Sequence, residues 1–167
     1  MPNSIENAAS KAMGAAKDVK ATFKGLTGVF KHLMEEHGKV AALLKRVSMS
    51  SDVKLRSELY PTIRRELLSH ERAEMDVVYP ELARYPETAA ISAEHAREAQ
   101  ELEAAIQAVD ALAFGDAQWS QAFERLVSLV EAHVNEEESE FFPKAQKAIG
   151  EDATKALLPR FEAAKHG

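Results

Sequence analysis

The 167-residue chain contains no cysteine, so disulfides, thiolate metal sites and cysteine nucleophiles are all excluded. Any metal it holds must be bound through histidine and carboxylate. Glycine is scarce at 7 residues, and β-branched residues are few, which argues against sheet. No run of about eighteen apolar residues occurs, so a membrane-spanning helix is not expected. The N-terminus lacks the basic start, apolar core and cleavage site of a secretory signal. A soluble, cytoplasmic protein is the expectation. The formal net charge of −6 argues against a general nucleic-acid binder.

Leu, Ala, Glu, Lys, Arg and Gln dominate, the composition of helix. The length suits one domain with a substantial core. The expected fold class is all-α.

Ile5, Ala9, Ala12, Ala16, Val19, Phe23, Leu26, Phe30, Leu33, His37, Val40, Leu44 and Val47 alternate at spacings of four and three, the stripe of an amphipathic helix. Gly25 and Gly28 lie off the stripe, so a break there is expected, separating an arm from a helix over 29–48. Asp52 is placed to cap a second helix reaching about Val78. Pro61 predicts either a kink in it or a short helix followed by a new one. A third helix is expected over 87–112, carrying Ile91, His95, Ala99, Leu102, Ile106 and Val109 inward. A fourth, capped by Asp116, carries Phe123, Leu126, Val130, His133 and Glu137 up to Pro143. Beyond Gly150, Leu157, Leu158 and Phe161 mark a terminal helix across one end of the bundle.

Two stretches repeat one pattern. LLSHERAEMDVVYP (67–80) and LVEAHVNEEESEFFP (129–143) each hold a His, a Glu four later, an aromatic nine later and a Pro ten later. These are His70, Glu74, Tyr79, Pro80 and His133, Glu137, Phe142, Pro143. A helix with one striped histidine precedes each copy, His37 before the first and His95 before the second. Residues four apart share a helix face and can reach one small object. A lone histidine on an apolar stripe is more often a hydrogen-bonded core group than a ligand. Four inward imidazoles with two inward carboxylates reverse that balance, because an uncompensated buried carboxylate is costly. Such a set suits two metal ions at the centre of a bundle, and iron, zinc and manganese all accept it. In EEESE (136–140) only Glu137 shares the direction of His133; Glu138 competes if a local π-turn rotates it inward. Glu136 and Glu140 read as solvated, as do His32 and His166. Tyr79, Phe141 and Phe142 read as bundle-end packing.

LMEEHGKV, LLSHERAEMDVVYPEL, AEHAREAQEL and LVEAHVNEEESEFFP together resemble the four ligand-bearing segments of the hemerythrin-like (HHE cation-binding) family over residues 26–148. The resemblance implies an up-down-up-down four-helix bundle around two non-haem iron ions, with carboxylate and oxo or hydroxo bridges. Carried over by motif, the ligands are His37, His70, Glu74, His95, His133 and Glu137, with Glu74 and Glu137 bridging. Oxygen-carrying members have a second third-helix histidine where this chain has Ala99, and place the last carboxylate where it has Glu138. That departure puts reversible oxygen carriage in doubt. It leaves a coordination position open to solvent, dioxygen, nitric oxide, peroxide or a carboxylate such as Glu98.

The expected organisation is an arm over 1–25, a bundle over 26–148 and a terminal helix over 149–167. The leading functional expectation is a di-iron protein that binds or reacts with a small diatomic ligand or peroxide. Iron storage, delivery or sensing through a partner is a second reading, and a zinc-binding structural bundle a third. Lys11, Lys17, Lys20 and Lys24 lie opposite the arm's stripe. The arm is therefore expected to dock on its own bundle or on a second subunit, as a homo-oligomer, rather than on a membrane.

Overall fold

The computed structural model describes residues 11–17, 20–21 and 24–167. Ile5, Ala9, Val19 and Phe23 of the arm's stripe lie outside them. Among the described residues every regular element is helical and there is no strand. Residues 11–17 and 20–21 of the arm are helical; after them come α1 (Gly28–Ser48), α2 (Val53–Ala73), the short α3 (Tyr79–Leu82), α4 (Ala89–Asp110), α5 (Trp119–Glu136), α6 (Phe142–Ile149) and α7 (Glu151–His166). Two π-turns, Glu74–Val78 and Glu137–Phe141, join α2 to α3 and α5 to α6. None of these helices is long and apolar enough to cross a membrane.

The expected break near Gly25 and Gly28 is present. Gly28 opens α1 with φ of 52°, and a Cβ there would lie 2.3 Å from the backbone of Thr154. Only glycine permits both the left-handed turn and this approach of α7. Asp52 caps α2 by accepting the Lys54 N–H at 2.9 Å. Asp116 does not cap α5; it accepts the Gln118 N–H at 2.7 Å within the preceding turn, and α5 starts at Trp119. Nor does Pro61 divide α2, which runs through it without interruption. Both Pro61 and Ser57, whose carbonyl the proline cannot bond, are exposed, so water can satisfy the orphaned group.

The four long helices pack in a ring, α1 on α2, α2 on α4, α4 on α5 and α5 on α1, with α7 laid across α1 and α2. Their buried apolar residues form two clusters. One contains Phe30, Leu33, Val78, Tyr79, Ile91, Phe141, Phe142, Leu157 and Phe161. The other contains Val40, Leu44, Leu59, Ile63, Leu102, Ile106, Trp119, Phe123 and Leu126. Following the chain, α1 passes from the first cluster to the second, α2 returns, α4 goes out again, and α5 leads back from the second cluster to the first, which the chain re-enters at Phe141 and Phe142. Each helix crosses the gap between clusters at its ionisable residues, so the polar layer sits between two apolar plugs.

The arm packs across α1, but not on Ala12 and Ala16 of the expected stripe. Ala12 and Ala16 are exposed, whereas Gly14 and Ala21 are buried. A Cβ on Gly14 would lie 3.1 Å from the Glu35 carbonyl oxygen, and one on Gly38 would lie 2.5 Å from that of Met13. Close backbone approach at two glycines, rather than the alanine stripe, sets the face presented. Lys17 therefore turns toward the bundle, where it pairs with Glu138.

Candidate metal centre

The repeated sequence pattern becomes a repeated backbone device. In both copies the glutamate four residues after the histidine is the first residue of a π-turn. A π-turn inserts an extra residue into the helix and locally widens it, a feature frequent at functional sites. In the second copy it leaves Glu137 and Glu138 buried side by side, at 0% and 4% exposure. Glu74 and His95 are fully buried as well.

Two groups of donor atoms meet in the polar layer. His37, His70 and Glu74 bring one atom each to within 4.8 Å of one another, and so do Glu71, Glu74, His95 and His133. Glu74 belongs to both groups. Glu137 touches both: its Oε1 lies 3.4 Å from His37 Nε2 and 3.1 Å from His133 Nε2. The structure thus brings His37, His70, Glu74, His95 and His133 into the two groups and places Glu137 between them. A seventh residue, Glu71, enters with Oε1 2.6 Å from His95 Nε2 and Oε2 3.8 Å from His133 Nε2.

Many of these inward atoms have no hydrogen-bond partner. Glu71 Oε1, both oxygens of Glu74, both ring nitrogens of His95, His133 Nε2 and Glu137 Oε1 are buried and unsatisfied. The 2.6 Å Glu71–His95 contact lacks hydrogen-bond geometry. Unpaired buried carboxylates cost several kcal/mol each in principle, and a divalent or trivalent cation bound by neutral imidazoles and carboxylates removes that cost. The donor set fits a metal.

Behind the inner atoms stands an outer row of carboxylates. His37 donates its Nδ1–H to Glu138 at 2.9 Å, His70 to Glu36 at 2.9 Å, and His133 to Glu98 at 2.6 Å. Each bond turns Nε2 toward the centre, the arrangement that orients metal-bound imidazoles and raises their basicity. Glu98 and Glu138, weighed from sequence as inner ligands, face the outer nitrogens instead. His95 is held differently: Tyr79 stacks flat on it, 3.5 Å between centroids with 8° between planes, and donates its hydroxyl to Glu137 Oε2 at 2.6 Å. Tyr79 is therefore part of the centre as well as of the bundle-end packing expected for it. His32 is not solvated as expected, since it lies 3.6 Å from Glu36 with its ring edge on Phe161. Glu136 is only half-exposed and stands beside Glu98, whereas Glu140 and His166 are exposed as expected.

The protonation pattern follows from this crowding. Burial works against charge on His133, but Glu137 and Glu98 outweigh it and the imidazole is pushed up to about 12. Burial opposes charge on His70 too, and Glu74 and Glu36 raise it well above the usual range. Burial alone would lift Glu137, yet His133 and His37 hold it well below the ordinary carboxylate range. Glu74 goes the other way, raised by burial and by the neighbouring Glu137.

A cavity of about 580 Å³ reaches this layer, touching His37, His70, Glu71 and His133. Val40, Leu44, Leu67, Leu102, Val127 and Val130 give it largely apolar walls. Its volume exceeds what a diatomic molecule or peroxide needs.

Sequence reasoning missed Glu71 because each helix was reduced to one narrow stripe. At about 100° per residue, Glu71 lies about 100° from His70, with Glu74 about midway between them. A polar run spanning that arc was the available signal.

A family model of the hemerythrin HHE cation binding domain matches residues 28–145, most of the chain. The chain is also 25% identical over 130 residues to a DNA nickase of Nostoc sp. (strain PCC 7120), covering 78% of this chain and 37% of the nickase. It thus spans little more than a third of that curated relative. No solved structure matches it.

Proposed function

We propose, given that this chain belongs to the hemerythrin HHE cation-binding family, that it is a non-haem di-iron protein binding or reacting with dioxygen, nitric oxide or peroxide. The observation carrying this reading is the set of buried, unsatisfied donor atoms between two apolar clusters. The opposite order in which successive helices visit those clusters supports an up-down-up-down bundle.

In this reading His37 and His70 would hold one ion and Glu71, His95 and His133 the other, with Glu74 and Glu137 shared between them. Bound iron would supply the redox and ligand-binding chemistry. Glu36, Glu98 and Glu138 fix the orientation of three imidazoles through their Nδ1–H groups, and Tyr79 fixes Glu137. The Tyr79 hydroxyl also puts a protein proton 2.6 Å from Glu137 Oε2, measured between oxygens. Glu71 adds an anionic oxygen donor beside His95 and His133. An extra anionic donor favours the higher oxidation state of a bound iron, which supports reaction with the small ligand over its reversible carriage.

A nucleic-acid partner is not part of the proposal, since the net charge of −6 lacks the basic excess such binding uses. Iron-loaded protein should show oxo-to-iron charge-transfer absorption. Aerobic protein holding two irons per chain without that absorption would overturn the oxo-bridged reading, and failure to hold two irons would move it to zinc or another redox-silent ion.

A further inference from the structure

The two groups of donors differ in what stands behind their histidines. Glu36, outside His70, is bonded by Lys165 of α7, which also reaches Glu66 at 3.0 Å. Glu138, outside His37, is bonded by Lys17 of the arm, and Lys24 donates to its backbone carbonyl at 2.8 Å. Both outer carboxylates of the His37/His70 group are therefore neutralised by ammonium groups from opposite ends of the described chain. Lys165 is buried for a lysine, with 9% of its side chain exposed.

The other group has the reverse arrangement. Glu98, outside His133, meets Glu136, and among the described residues no lysine or arginine pairs with it. On the inner side this group has Glu71, a carboxylate without counterpart in the His37/His70 group. One group thus has an extra inner carboxylate and an outer carboxylate with no ammonium on it, while the other has ammonium groups on both of its outer carboxylates.

We infer that the two subsites are unequal by construction: the Glu71/Glu74/His95/His133 subsite fills first, and Lys165 and Lys17 are positioning residues that keep the His37/His70 subsite weaker and more readily exchanged. The inference rests on the two-metal reading above. A carboxylate that also accepts from an ammonium is a poorer acceptor for an imidazole N–H, so the imidazole it orients donates less to a cation. The ammonium charges also oppose a cation directly. Lys165 and Lys17 lower affinity at one subsite without touching the metal.

Cobalt(II) titration of the metal-free full chain tests this, followed by calorimetry and by NMR of ¹⁵N-labelled imidazoles. Two steps are expected, with dissociation constants differing by about tenfold or more, the scale on which outer partners act. Resonances of His95 and His133 should respond in the first step and those of His37 and His70 in the second. Lys165→Met should tighten the second step at least threefold and leave the first unchanged, while Lys165→Arg keeps the original ratio. Lys17→Met, on the arm, should act in the same direction and carries the test should Lys165→Met fail to fold. Equal constants, first filling at His37 and His70, or a second step loosened by Lys165→Met would overturn the inference while leaving the metal pair intact. Binding of a single cobalt per chain would overturn the two-metal reading and this inference with it.

Discussion

Glu71 Oε1 lies 2.6 Å from Nε2 of His95, with no hydrogen bond between them. Two donors this close and misaligned suit neighbouring positions around one cation. Replacing Glu71 with Gln keeps the shape and removes the charge, and should weaken metal binding at the His95/His133 subsite by about ten- to a hundredfold. Calorimetric titration of the variant checks it; an unchanged tight step would place Glu71 outside the coordination sphere.

Tyr79 joins both halves of the centre, its ring on His95 and its hydroxyl on Glu137. Tyr79→Phe preserves the stack and strips a donor from a buried carboxylate oxygen. The expected loss is about 1.5–3 kcal/mol, the range for hydrogen bonds to charged groups. Urea unfolding of the metal-free variant measures it. A change under about 0.5 kcal/mol would show that Glu137 does not depend on that bond.

Metal loading should release acid. In the metal-free protein His133 is pushed up to about 12 and His70 well above its usual range, in each case by carboxylates that outweigh burial. Folded values above the unfolded value of about 6.5 stabilise the metal-free fold fully below that pH. The contribution is lost as pH rises through the folded values, up to about 12 for His133. Because a cation requires these nitrogens deprotonated, zinc added to unbuffered metal-free protein at pH 7 should liberate protons, and affinity should rise with pH. A pH-stat titration showing no release would contradict this protonation pattern.

The arm's seat depends on Gly38, where a Cβ would meet the Met13 carbonyl oxygen at 2.5 Å. Gly38→Leu should lift the arm from α1 and separate Lys17 from Glu138. Limited trypsin digestion should then cut near Lys17 and Lys20 faster than in the parent chain, with the bundle left intact. Equal cutting rates would mean the arm does not depend on that crossing.

How much could be read from sequence tracks how local each feature is. The doubled His-x-x-x-Glu pattern was legible because helical periodicity alone brings residues four apart onto one face. Gly28 was legible as a break, although its close contact with Thr154 was not. Lys165 and Glu36, 129 positions apart, meet only after α7 folds back across α1 and α2, and no local pattern announces that. Glu138 was foreseen as sensitive to a π-turn; the turn is present, and it buries Glu138 against His37 Nδ1. That Pro61 does not divide α2 was not legible, because proline's cost in a helix depends on whether the orphaned carbonyl is wet, which is a property of the assembled surface.

Metal content bears most directly on a paired centre. Elemental analysis of protein purified from its native host should find two iron ions per chain. His70→Ala and His133→Ala should each reduce that number, because they remove ligands from different subsites. Protein isolated from that host with no bound metal, or a metal content indifferent to both substitutions, would contradict a buried metal pair held by these histidines.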